Sequence, residues 1–131
     1  MRRATGRYAP PLAVMALIFV LSSTPDLSTG LGTWDLVLRK SAHVTIYALL
    51  WLTLARAAGW RRPIAVTFAA LLYAASDELH QSFVDGRHGT PVDVAIDAIG
   101  MGLAALARMR AARRRGGGPG PPWPLRAAEA G

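Results

Sequence analysis

Residues 8–25, 41–55, 63–76 and 98–107 contain no Asp, Glu, Lys or Arg, in a chain of 131 residues that holds 15 Lys+Arg and 8 Asp+Glu. Charge is therefore confined to the segments between four apolar runs. A water-soluble domain instead interleaves charged and apolar side chains along each amphipathic element. Segregation of this kind is the pattern of helices that meet lipid, and it predicts an all-α integral membrane bundle of four transmembrane helices. Composition agrees: 52% of residues are hydrophobic and 18% charged, with a formal net charge of +7. So basic a chain raises the question of nucleic acid. Here, however, the arginines flank apolar runs rather than alternating with aromatics on a polar scaffold, and no nucleic-acid partner is expected. The absence of Cys removes disulfides, thiolate zinc sites and cysteine nucleophiles together.

The first run follows Arg2, Arg3 and Arg7 and is continuously apolar over residues 12–21. Ser22, Ser23 and Thr24 come next, but with no A-x-A cleavage pattern, so a retained helix is expected rather than a signal peptide. Arg2, Arg3, Arg7, Arg56, Arg61, Arg62 and the arginines from Arg108 to Arg126 fall on one side of the predicted bundle, against Arg39, Lys40 and Arg87 on the other. The positive-inside rule then places both termini in the cytoplasm, in a chain that crosses the membrane four times. Three parts are expected: a basic cytoplasmic N-terminus over residues 1–7, a transmembrane domain over 8–110, and a disordered cytoplasmic Arg/Gly/Pro-rich tail over 111–131. Gly and Pro deny that tail a helix or a core, and residues 113–115 are expected to rest on anionic headgroups. Pro63 and Pro91 suit the first turns of the third and fourth helices.

Each of the last three runs is shorter than the roughly 20 residues that a spanning helix needs. To reach that length the helices must take in their polar neighbours: Lys40 and His43, then Asp77, Glu78 and Gln81, then Asp93 and Asp97. An ionisable group at membrane depth costs about 2.5–3.5 kcal/mol unless it pairs or faces a wet cavity. Their spacing is ordered. Lys40, His43 and Tyr47 stand at i, i+3, i+7, and Asp93, Asp97 and Gly100 at i, i+4, i+7, so each set lies along one helix face. Gln81 shares a face with Asp77 or Glu78. Ala98 and Gly102 form a small-xxx-small pair suited to close helix contact. Lys40 and Arg87 set two positive charges against Asp77, Glu78, Asp93 and Asp97. A protonated carboxylate, a charged His43 or a bound cation would correct the excess.

Lys40-x-x-His43-x-x-x-Tyr47, then Asp77-Glu78-x-x-Gln81-x-Phe83, then Gly86-Arg87, Asp93, Asp97 and Gly100 resemble the VanZ-like family of small bacterial membrane proteins. The resemblance extends from about residue 35 to residue 102, and the polar positions agree in type and order across three helices. One position departs: Asp97 stands where the family usually has Asn, which adds a possible negative charge. The resemblance implies a multi-span protein of the bacterial cytoplasmic (inner) membrane, in the cell envelope. The family is named for a protein associated with low-level resistance to the glycopeptide teicoplanin.

On this basis the polar set is read as an outward-facing pocket for a lipid-linked cell-wall precursor or for a glycopeptide drug that binds one, among membrane lipids. His43, Glu78 and Asp97 are the candidates for proton exchange or catalysis. Lys40, Tyr47, Gln81, Arg87 and Asp93 are the candidates for ligand binding. A rival reading has the same residues perform acid–base hydrolysis or transfer on an envelope lipid, and another makes them interhelical ties in a structural or partner-binding protein. Each residue also has a plainer role. Lys40 can snorkel, Glu78 can pair with Arg87, and Asp93 can act as a helix N-cap. Tyr47, Trp34, Trp51 and Trp60 can serve as packing or interface anchors. His43, His80, His88 and the carboxylates show no diagnostic ligand spacing, so no metal is assigned, and no cofactor is indicated. No G-x-S-x-G occurs, and Ser76 and Ser82 lack an activating arrangement.

Overall fold

The computed structural model describes residues 2–25, 30 and 32–114, the side chains of residues 2–5 excepted. It contains four helices in chain order: α1 (Arg2–Ser22), α2 (Thr33–Ala57), α3 (Pro63–Gln81) and α4 (Pro91–Arg114). No strand occurs among the described residues. Pro63 and Pro91 each open a helix, where a missing N–H costs nothing. Pro10 and Pro11 instead lie inside α1 and leave the carbonyls of Gly6 and Arg7 without their helical donors. Two boundaries differ from expectation. α1 already includes most of the basic N-terminus, and α4 runs on through Arg114 because residues 108–114 contain neither Gly nor Pro. The rest of the expected tail, residues 115–131, lies outside the described residues.

Consecutive helices run antiparallel, so both outer ends of the chain's helical span meet at one end of the bundle. There Arg7 donates from Nε to the Ala57 carbonyl at the C-terminus of α2. Arg108 lies over the ring of Trp60, 4.6 Å from its centroid. Trp60 itself adopts a left-handed backbone (φ 61°), a conformation that costs a side-chain-bearing residue about 1–2 kcal/mol.

The most extensive interface joins α2 to α4. Gly100 makes it possible: a Cβ at that position would collide with the backbone carbonyl of Val44. The expected small-residue pair is thereby corrected. Gly102 is exposed with open space around it, because the face that meets α2 is the one carrying Asp93, Asp97 and Gly100. α1 supplies Val14 and Ile18 to the core, and Tyr73 of α3 donates its hydroxyl to the Met15 carbonyl at 2.6 Å.

The inner faces of the helices are graded along their length. α3 buries Val66, Ala70 and Ala74 and then, on the same face, Asp77, Glu78 and Gln81. α4 buries Asp93 and Asp97 and then Gly100, Met101 and Ala104. Outward, Ile64, Phe68, Leu72 and Leu79 form an exposed stripe on α3, and Ile99, Leu103 and Leu106 are exposed on α4. Among the described residues, no helix is long and apolar enough to cross a membrane. In α2, α3 and α4 charged and polar residues lie within the helix and not beyond its end, Lys40 and His43, Asp77 and Glu78, and Asp93 and Asp97, while α1 carries Arg7, Pro10 and Pro11.

Candidate functional site: a buried carboxylate–histidine cluster

At the end of the bundle opposite Arg7 and Arg108, three inner faces converge on a polar core. Asp77, Glu78, Gln81, Arg87, Asp93 and Asp97 are all buried there. A buried carboxylate must find donors or a counter-charge, and Asp77 finds three donors on one oxygen. Its Oδ2 accepts from Ser22 Oγ at 2.9 Å, Gln81 Nε2 at 3.0 Å and the Tyr47 hydroxyl at 3.2 Å. Tyr47 is fully buried and joins this polar group to the apolar core beneath it.

Glu78 is held by the loop that follows it. Its Oε2 accepts the Thr90 backbone N–H at 3.2 Å, at the positive N-terminal end of α4, and its Oε1 accepts Gln81 Nε2 at 3.3 Å. That contact requires the loop to lie against α3. Gly89 permits the approach, since a Cβ there would overlap the backbone of Glu78.

His43 lies between two carboxylates from different helices. Its Nδ1 is 3.0 Å from Asp97 Oδ1 and 3.8 Å from Glu78 Oε1. Asp97 is fully buried, and its Oδ2 has no hydrogen-bond partner among the described residues. Nearer the surface, Lys40 forms an ion pair with Asp93. Asp93 also accepts the Thr90 hydroxyl at 2.7 Å and returns its backbone N–H to Thr90 Oγ1 at 3.3 Å.

A cavity of about 210 Å3 adjoins this core. Ile18, Leu21, Leu38, Ala42 and Ile46 give it an apolar wall, and Ser22, Arg39, His43, Tyr47, Arg87 and the two carboxylates Asp35 and Asp77 give it polar groups. It is thus an amphipathic recess whose cations come from α2 and from the loop between α3 and α4.

The structure brings His43, Glu78, Asp97, Tyr47 and Gln81 into one network and places Lys40 and Asp93 at its rim as a pair. Arg87 performs a task that its position in the sequence does not reveal. It donates from Nε to the Thr24 carbonyl at 3.1 Å and from Nη2 to the Leu21 carbonyl at 2.7 Å, covering the C-terminal end of α1. Asp93 is not the N-cap considered for it. Thr90 occupies the cap position, its Oγ1 accepting the Asp93 N–H, and Asp93 stands in the first turn with its carboxylate on the Thr90 hydroxyl, while the Thr90 N–H that a capping box would give it goes to Glu78. Two participants escaped the sequence reading. Ser22 looked like part of a small-residue stretch, and only the packing of α1 against α3 turns it toward Asp77. Arg39 precedes Lys40, and its basic character next to the polar stripe was the available signal.

A four-helix bundle that buries its charged groups against one another and turns large apolar side chains outward defines the class of this protein. The chain belongs to the VanZ/LLP1 family, whose model matches residues 6–111. No curated protein and no solved structure matches the chain.

Proposed function

We propose that the bundle sits in the bacterial cytoplasmic membrane with both termini in the cytoplasm, and that its cavity receives the anionic head of an envelope lipid, such as a lipid-linked cell-wall precursor. The observation that carries this reading is the inverted distribution of side chains. Asp77, Glu78 and Asp97 are at most 5% exposed, whereas Phe68, Leu72, Leu79 and Leu12 are each more than half exposed. In water such a surface would drive association; in lipid it needs no partner. No single helix has to be apolar throughout, because the polar residues of one helix satisfy those of the next inside the bundle. Arg39 supplies a cationic donor suited to phosphate, Arg87 adds its charge while its Nε and Nη2 hold the Thr24 and Leu21 carbonyls, and the apolar wall suits the first methylenes of a chain.

His43 between Glu78 and Asp97 also supports a second reading, acid–base hydrolysis or transfer on that lipid. Native mass spectrometry of the detergent-purified protein tests the first. The wild type is expected to carry an anionic lipid that is depleted in Arg39→Gln, and a stable wild-type protein with no bound lipid would overturn the proposal. Glu78→Gln separates the two readings. An enzyme retains bound lipid in this variant but stops converting it, whereas a binding protein has no turnover to lose.

A further inference from the structure

We infer that His43, Glu78 and Asp97 form a binding site for a divalent first-row transition cation of the zinc type. Each offers one ligand atom, and the three atoms lie within 4.8 Å of one another, one on each of α2, α3 and α4. Proximity of acids alone would not carry the inference. The second observation is Asp97 Oδ2, a carboxylate oxygen on a fully buried side chain with no hydrogen-bond partner among the described residues. An ionic oxygen stripped of water and left without a donor is costly, by several times what an ordinary hydrogen bond contributes. A cation chelated by both Asp97 oxygens removes that cost.

Charge balance leads to the same conclusion. Asp77 is already met by three donors, and Lys40 is engaged by Asp93. Glu78 and Asp97 then face His43, which brings at most one positive charge against two negative ones. A divalent cation with neutral imidazole neutralises the pair. The donor set of one nitrogen and two carboxylates is one that zinc accepts and that magnesium, an all-oxygen ion, does not favour.

The surroundings also suit a metal centre. Glu78 is oriented by the Thr90 N–H and by Gln81, the kind of outer support that fixes ligating carboxylates. His43 also lines the cavity, which gives an ion a way in and leaves a coordination position for water or for an anionic oxygen. Zinc ligand bonds about 2.0–2.2 Å long set tetrahedral ligand atoms roughly 3.3 Å apart, so occupancy replaces the His43–Asp97 hydrogen bond, draws Glu78 Oε1 inward from 3.8 Å and lets Asp97 Oδ1 ease outward from 3.0 Å. The site does not depend on what the cavity binds.

The test uses the full chain in detergent, stripped with chelator and then titrated with Zn2+ by equilibrium dialysis, with thermal unfolding followed in parallel. One Zn2+ per chain is expected, with a Tm that rises with free Zn2+ and no comparable rise with Mg2+. Asp97→Asn and His43→Asn are each expected to weaken binding by at least about tenfold, while His88→Ala, at an exposed loop position, binds as the wild type does. X-ray absorption at the zinc edge of the wild type reads the ligands without any variant. A single imidazole among oxygen donors is expected, so the result stands even if a variant fails to fold. Absence of stoichiometric Zn2+ from folded wild-type protein, equal stabilisation by Mg2+, two or more imidazoles at the zinc, or undiminished binding in folded Asp97→Asn would each overturn the inference.

Discussion

The two ends of the bundle are built on the same helix faces with opposite chemistry. Toward Arg7 and Arg108 the inner faces meet through Leu50, Trp51, Val66, Ala70 and Ala104, a close-packed apolar core. Toward Lys40 and Arg87 the same faces meet through His43, Tyr47, Asp77, Glu78 and Asp97. An apolar continuation would have folded the polar end as well, without desolvating a single charge. The apolar end holds the fold, and the polar end tolerates a cost for what it does.

That contrast can be broken most forcefully at the apolar end. Leu50 is fully buried, and Leu50→Ala is expected to cost about 2–5 kcal/mol, read as a large fall in the unfolding midpoint in detergent. Gly100→Ala acts where the two ends join. Its Cβ has to displace the Val44 backbone, with an expected cost of about 1–3 kcal/mol. Loss of helix content in thermal circular dichroism would register it, whereas Gly102→Ala, facing open space, should leave the midpoint in place.

The sequence made much of this legible, for physical reasons. A polar side chain within an apolar run is conspicuous, and helical periodicity alone aligned Lys40, His43 and Tyr47, as well as Asp93, Asp97 and Gly100. The last three runs fall within α2, α3 and α4, and the first, residues 8–25, outlasts α1 by three residues. Hidden from the sequence was everything set by which helix neighbours which. Arg87 reaches α1 across a sequence separation of 63–66 residues, and Ser22 reaches Asp77 across 55. Gly100 and Gly102 are alike as letters, and only the direction of α2 distinguishes them. The convergence of His43, Glu78 and Asp97 likewise needs three helices in place, because no ligand spacing within one segment announces it.

Smaller changes sharpen the comparison. Tyr47→Phe keeps the ring in the core and removes one donor from Asp77, at an expected cost of about 0.5–1.5 kcal/mol, since Ser22 and Gln81 still serve that oxygen. A drop in midpoint as large as that of Leu50→Ala would instead make the polar end the principal support of the fold. Arg108→Ala removes the cation over Trp60 at the far end, with an expected effect of about 0.5–1 kcal/mol in the same melting assay.

In the proposed arrangement the bundle is turned inside out, with charge within and lipid without. Because the chain has no Cys, a spin label placed through Phe68→Cys, on the exposed stripe of α3, reports its surroundings without background in reconstituted vesicles. Oxygen, which dissolves in lipid, is expected to relax this label strongly and a water-soluble nickel chelate is not, with His88→Cys behaving in the opposite way. Equal access of the nickel chelate to both labels would contradict that arrangement.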